Sequence, residues 1–290
     1  MNSQQKGISL MLLSSLCFSL MAVSVKLLPD IPTYEKIFFR NFTGLIISFF
    51  IIKSKNQSFI GNNKKLLILR STFGLLGVAA YFYSISKLPL ANSAILNKLS
   101  PIFVLIFASL ILGEKIKKLQ IPALIISVFG IALVIKPGIN TNFAVQIIGL
   151  SSAVFAGMAY TVVRKLREYD SPETIVLYFC LLSSSAMLPF FITEGFVMPT
   201  PRGWISAILL GIFATLAQLS LTKAYRYAPA GELSIYSYSN IIFSAIIGLI
   251  LWNEIPDSLS IIGGILIILG GYINYMCNKP QIKKVRVTSR

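Results

Sequence analysis

Ser100-Pro101-Ile102-Phe103, running on to Leu110-Ile111-Leu112, is echoed by Ser239-Asn240-Ile241-Ile242, running on to Leu249-Ile250-Leu251, 139 residues later. Upstream, Lys87-Leu88-Pro89-Leu90-Ala91 falls on Arg226-Tyr227-Ala228-Pro229-Ala230 at the same offset. Downstream, Glu114 meets Glu254 after a slip of one residue, and Phe18 with Met21-Ala22 matches Phe155 with Met158-Ala159 more loosely. Apolar segments match one another easily by chance, so no single pairing carries weight. A constant offset over several landmarks does, and it reads as an internal duplication. The units are expected at 1–137 and 138–278, followed by a basic tail at 279–290.

The duplicated segments are long and apolar. A helix that spans a bilayer needs about 20 mostly apolar residues, because the hydrocarbon layer is about 30 Å thick and each residue rises about 1.5 Å. Ten stretches qualify: 7–27, 34–53, 66–86, 90–112, 119–136, 144–164, 174–193, 203–222, 230–252 and 258–277. The third and fourth, and the eighth and ninth, nearly touch, which requires tight turns at Pro89 and Pro229. The first stretch is read as a retained helix, since no small-x-small cleavage signal precedes Pro29. Five spans per unit is an odd number, so two units of like fold must sit in opposite orientations. The expected class is therefore an all-α polytopic membrane protein, ten transmembrane helices arranged as two inverted five-helix repeats. Such repeats build many secondary transporters around a site near the midplane.

Charge agrees. The chain carries 26 Lys+Arg against 10 Asp+Glu, a formal net charge of +16, yet only 12% of residues are charged and 55% are hydrophobic. A nucleic-acid partner would call for far more charge in total. Disorder is excluded by the hydrophobicity. Eighteen cations fall on one set of loops (Lys6; Lys53, Lys55, Lys64, Lys65; Lys115, Lys117, Lys118; Arg164, Lys165, Arg167; Lys223, Arg226; and five after 278) and only five on the other (Lys26, Lys36, Lys87, Lys136, Arg202). The positive-inside rule then places both termini in the cytoplasm, in a bacterial inner membrane. Cys17, Cys180 and Cys277 lie within spans without metal-ligand spacing, and there is no His. No metal site, Ser-His or Cys-His nucleophile, or nucleotide-binding loop is legible, so no cofactor and no enzyme activity are expected.

The chain resembles the drug/metabolite transporter superfamily, specifically its EamA-domain branch. The resemblance rests on Phe38-Phe39-Arg40, Leu96-Asn97-Lys98-Leu99-Ser100-Pro101 and Leu112-Gly113-Glu114-Lys115 in the first half. In the second it rests on Ala224-Tyr225-Arg226-Tyr227-Ala228-Pro229-Ala230 and Trp252-Asn253-Glu254, where Asn-Glu stands in place of a Gly-Glu pair. It covers residues 7–277 and implies transport, leaning to export. It leaves the substrate open among amino acids, other metabolites, nucleobase-like compounds and drugs.

Polar groups at membrane depth are the candidate site, because each costs about 2.5–3.5 kcal/mol to insert at the bilayer centre and so faces the interior or a wet cavity. Lys98 lies about 12 Å into the fourth span, beside Asn97, with Pro101 able to kink the helix. Lys98 lines a substrate path, snorkels, or pairs structurally with a carboxylate. In the ninth span Glu232, Tyr236, Ser239 and Asn240 share one face and correspond by the repeat to Ser93, Asn97, Ser100 and Pro101. Glu232 is also a first-turn carboxylate, for which a capping role competes. Arg40 pairs with Glu35 or attracts anions. Arg70 snorkels to the cytoplasmic surface or guards an inner mouth on the face of Gly74, Gly77 and Tyr81. Gln218 belongs to a small-plus-polar stripe with Gly211, Thr215 and Thr222 that reads as packing or ligand contact. Tyr81 and Tyr236 need hydrogen-bond partners that a hydrated cavity supplies.

The expectation is a secondary transporter, drawn as a monomer, that moves a small organic carboxylate or zwitterion such as an amino acid by alternating access. Proton coupling would run through Glu232. The alternatives are an exchanger or uniporter for a nucleoside-like metabolite such as S-adenosylmethionine, an integral-membrane enzyme, and a passive pore or scaffold. The partners expected are that substrate and the lipid bilayer.

Overall fold

The computed structural model describes residues 3–113, 118, 120–136, 143–228 and 230–278, with the side chains at 112, 230–232, 234 and 278 outside that description. All regular structure among the described residues is helical: α1 (Ser3–Lys26), α2 (Thr33–Ser54), α3 (Lys64–Lys87), α4 (Leu90–Asn97), α5 (Ser100–Leu112), α6 (Gln120–Ile135), α7 (Phe143–Leu166), α8 (Pro172–Thr193), α9 (Pro201–Tyr227), α10 (Ala230–Ser237), α11 (Ser239–Trp252) and α12 (Ser258–Asn278). Nine described segments are long and apolar enough to cross a membrane, with α4–α5 counted as one; Gln120–Ile135, at 16 residues, is shorter.

The fourth and ninth stretches are not continuous helices. Each splits into an eight-residue piece and a longer one, at Lys98–Leu99 and at Tyr238. Pro101 explains the first break. It has no N–H to give to the Asn97 carbonyl, and the chain tightens into i→i−3 bonds, Leu99 N to Leu96 O at 3.3 Å and Ile102 N to Leu99 O at 2.9 Å. The second break needs no proline. Tyr238 N to Ile235 O (3.3 Å) and Ile241 N to Tyr238 O (2.9 Å) repeat the same two bonds. The kink expected at Pro101 is thus real, and its partner at Tyr238 went unpredicted.

Ends are fixed by local chemistry. Asn63, Ser171 and Thr200 cap α3, α8 and α9 by accepting from the backbone N–H three residues on, at 3.2, 3.1 and 3.1 Å. Pro172 and Pro201 occupy the first helical position, where no N–H is needed. Gly113 ends α5 at φ 68° and Asn253 ends α11 at φ 53°. Asn is the side-chain-bearing residue that visits this left-handed region most readily, so Asn253 ends α11 as Gly113 ends α5.

Packing follows the duplication. α1 packs on α9 as α3 packs on α7, while α2 lies on α8 and α6 on α12. Glycines let the last pair meet backbone to backbone: a Cβ on Gly130 would stand 2.7 Å from the Gly263 oxygen, and one on Gly263 would stand 2.7 Å from the Gly130 oxygen. Gly263 and Gly270 of α12 both lie against α6, while Gly271 lies against the Tyr238 ring. The outer surface is apolar (Phe50, Leu110, Ile192 and Ile250 are all exposed), while Ser14, Ser19, Asn41 and Ser244 are buried. That polarity suits a hydrocarbon solvent, in which polar groups must find partners inside.

One pair breaks the symmetry. α4 packs against α11 at the end of the bundle that holds Lys26, and the equivalent pair at the other end, α5 and α10, touches far less among the described residues. At the packed end Glu254 accepts from the Leu90 N–H at 3.0 Å with Oε2 and binds the Lys26 ammonium with Oε1. Lys26 also lies 5.1 Å from the Trp252 ring centroid. At the opposite end Glu173, buried in the first turn of α8, takes Lys55 at 2.7 Å and Lys223 at 3.7 Å.

Candidate functional site

A cavity opens where the two helix breaks face the rest of the bundle. Its wall includes Phe18 and Met21 of α1, Arg40 of α2, and Arg70, Gly74, Gly77, Val78 and Tyr81 of α3. Asn97 and Lys98 at the first break, Ala156, Ala159 and Tyr160 of α7, Phe179 of α8, Gln218 of α9 and Asn240 of α11 complete it. Both repeats contribute. About 50 Å³ is free for the centres of water-sized spheres. That holds a few waters, at roughly 10–15 Å³ each, and falls far short of the roughly 300 Å³ at which ligand pockets begin.

Three cations occupy this wall, and no described carboxylate does. Arg40 and Arg70 share one aromatic ring: their guanidinium carbons lie 5.1 and 4.0 Å from the centroid of Phe179. Lys98 Nζ lies 5.3 Å from the centroid of Phe18 on α1. All three are buried, at 3%, 2% and 7% exposure. Cation–π contact offsets only about 0.5–2 kcal/mol each and does not neutralise charge. Arg40 Nη1 donates to Asn41 Oδ1 at 2.7 Å, and Asn41 in turn donates to the Ile37 carbonyl at 2.8 Å. Arg40 Nε, Arg70 Nε, Arg70 Nη1 and Gln218 Nε2 have no hydrogen-bond partner among the described residues.

The two broken helices are each tethered to the first helix of the other half. Asn97 Nδ2 donates to Ser152 Oγ on α7 at 3.0 Å. Asn240 Nδ2 donates to Ser19 Oγ at 2.6 Å and the Ser15 carbonyl at 3.1 Å, both on α1, and Ser244 adds a 3.2 Å contact to Ser19. These amides hold the breaks in place beside the cavity. Among the described residues no group of three or more His, Cys, Asp or Glu is placed to hold a metal ion.

Residues 5–136 and 144–276 each match the EamA-like transporter family. The chain belongs to that family. It is 32% identical over 267 residues to the pseudopaline exporter CntI of Pseudomonas aeruginosa (strain UCBPP-PA14), covering 91% of this chain and 94% of the exporter. It is 33% identical over 281 residues to an uncharacterized transporter of Helicobacter pylori (strain J99), covering 92% and 93%. A solved crystal structure of a protein superposes with a TM-score of 0.71 at 16% identity, over 95% of this chain and 96% of that one, a likeness of fold.

In this EamA-like chain, six of the residues expected from sequence converge on the cavity: Arg40, Tyr81, Asn97, Lys98, Gln218 and Asn240. Tyr236 does not line it. It packs with Met11, Leu221 and Leu233 instead, on the side of α10 that meets α1. Glu232 sits on α10, and its side chain lies outside the described residues, as do Glu114 and the tail at 279–290. Two expectations change. Arg40 does not pair with Glu35, whose Oε1 accepts from Val197 N at 2.7 Å, because Glu35 sits a turn nearer the helix start and faces the loop. Arg70 does not snorkel. The small residues Gly74 and Gly77 leave space on its own face, and it folds inward against Phe179. Phe18 and Phe179 were not singled out as site residues, since a phenylalanine in an apolar helix has no distinguishing sequence signal; Tyr160, also missed, shares with Tyr81 a phenol at membrane depth. Arg70 had one: its shared face with Gly74, Gly77 and Tyr81.

Proposed function

We propose that this chain is a secondary transporter with ten membrane crossings in two inverted halves. It moves a small organic metabolite bearing a carboxylate, in the direction of export, by alternating access around the Lys98–Arg40–Arg70 cavity. The observation that carries the reading is the cavity itself: buried cations from α2, α3 and the α4–α5 break, in a wall to which both repeats contribute. Inverted-repeat carriers bind substrate at discontinuous helices of this kind. A relative that exports pseudopaline supports the direction. With both termini in the cytoplasm, the latched Lys26–Glu254 end faces outward and the more sparsely packed α5–α10 end faces inward, a state suited to loading from the cytoplasm. Opening and closing of α5 against α10 and of α4 against α11 then exchange by the pseudo-symmetry, and the present cavity enlarges as the substrate enters.

The test is counterflow in proteoliposomes. A carrier accelerates uptake of labelled substrate when unlabelled substrate waits inside, whereas a pore does not. Lys98→Ala is expected to lower counterflow at least tenfold while the purified protein keeps its melting behaviour. Normal transport by a folded Lys98→Ala variant would defeat the assignment of the cavity.

A further inference from the structure

The cavity offers hydrogen-bond donors in excess and charge of one sign. We infer that its ligand is an organic anion with at least two oxyanion groups, one held by the Arg40–Arg70 pair and a second by Lys98. This deepens the transport reading and rests on it for the site.

The chemistry is one-sided. Three unpartnered buried N–H groups belong to the two arginines, which stay protonated at any physiological pH. The buried acceptors without partners, Glu35 Oε2 and Asn92 Oδ1, do not line the cavity. An unmatched buried donor on a charged group costs more than a neutral one, so these groups are stable in the interior only if water or a ligand serves them. A neutral ligand would leave the charge uncompensated. A zwitterion would bring its ammonium into a wall with no described carboxylate to receive it, and like charges in a low-dielectric site repel strongly.

Two anchoring points follow from where the cations rest. Arg40 and Arg70 gather on Phe179 of α8, and Lys98 rests on Phe18 of α1. Different helices and different rings hold the two groups. A guanidinium pair suits a carboxylate or phosphate with its planar fork, and an ammonium suits a second oxyanion as a point charge. Carboxylate and phosphate share this chemistry, and the test separates them.

The experiment measures binding to purified, detergent-solubilised full-length protein by thermal shift and calorimetry, with four probes: glutarate, butyrate, inorganic phosphate and alanine. Glutarate is expected to bind at least tenfold more tightly than butyrate. In Lys98→Met that ratio falls to near one, and Arg70→Gln weakens both. Lys98→Gln serves as a second variant, and the wild-type ratio decides by itself should both variants fail to fold. A wild-type ratio near one overturns the inference. So does a ratio that survives removal of the Lys98 charge, a larger effect of alanine than of glutarate, or a response to inorganic phosphate alone. The two readings fail separately. Counterflow of alanine with no glutarate preference defeats the dianion and leaves transport standing. A Lys98-dependent glutarate preference without counterflow by any probe defeats transport and leaves the anion site standing.

Discussion

Glu254→Gln should unlatch one end of the bundle. The wild-type carboxylate bridges the α4 N-terminus, through Leu90 N at 3.0 Å, and the ammonium of Lys26 at the end of α1. Both partners of the ion pair are largely buried, at 17% and 20% exposure. Two unit charges about 4 Å apart attract by about 4 kcal/mol at an effective dielectric of 20. Desolvation and side-chain ordering remove most of that, leaving about 1–2 kcal/mol. Gln keeps an acceptor for Leu90 but turns a charge-assisted bond into a neutral one, roughly half as strong, which removes about 1 kcal/mol more. These contacts exist only while α4 packs on α11, so the whole loss, about 2–3 kcal/mol, acts on the equilibrium between the latched and open states. At about 1.4 kcal/mol per tenfold, the open population rises by about 30-fold to 140-fold. The assay is a single cysteine in the cavity, Met21→Cys, with Cys17, Cys180 and Cys277 replaced by Ala. It is labelled by a membrane-impermeant maleimide in vesicles of known sidedness. Labelling from the Lys26 end should accelerate by at least tenfold. Lys26→Met should do the same, and the double variant should fall well short of the sum. A rate within twofold of the parent in both folded single variants would refute the latch.

Gly130→Val should separate α6 from α12, since its Cβ would meet the Gly263 oxygen at 2.7 Å and Ile267 Cγ1 at 2.8 Å. Overpacking against backbone is expected to cost about 2–3 kcal/mol, seen as a melting temperature lower by about 4–10 °C, whereas an unchanged melt would mean the helices part freely. Asp257 caps α12 and binds Lys136 at 2.5 Å. Burial there would raise its pKa, but hydrogen bonds from Lys136 and Ser260 outweigh it and hold the carboxyl at about 2. A depressed carboxyl stabilises in full above its ordinary value of 3.8 and loses that stabilisation as pH falls through about 2. Asp257 is half exposed, so Asp257→Asn should cost no more than about 1 kcal/mol. The difference in melting temperature from wild type should stay flat from pH 8 to pH 5 and shrink below pH 4.

The repeat was legible in sequence because it is written in spacing, and spacing survives divergence of the residues. Span positions were legible because bilayer thickness sets a length that apolar runs must meet. The helix breaks were half legible. Pro101 announces the first through its missing N–H. Nothing in Ser237-Tyr238-Ser239 announces the second, where tertiary contacts of Asn240 with Ser15 and Ser19 fix the backbone instead. Site residues divide on the same line. Arg40, Lys98, Asn97 and Gln218 stand out because a polar group within an apolar run is costly wherever it points. Tyr236 stood out for the same reason and packs elsewhere, since helical periodicity across the break at Tyr238 does not keep Tyr236 and Asn240 on one face. Phe179 was invisible in an apolar helix, yet it collects both arginines.

That phenylalanine shows what duplication leaves to each half. Arg40 and Phe179 occupy equivalent places in α2 and α8, 139 residues apart, and meet across the contact between those two helices. A strict two-fold would set Arg against Arg, two like charges in contact with no described acid nearby, or Phe against Phe, with no charge at all. Divergence of one partner gives a cation seated on an aromatic face at the junction of the halves. Lys98 opposite Ser237 and Pro101 opposite Asn240 follow the same course. The backbone can thus keep two like halves, each with its break and its tethering amide, while the side chains at the junction line a cavity of one charge. A carrier needs both properties at once: near-degenerate packings at its two ends, and a middle that binds the same ligand in either.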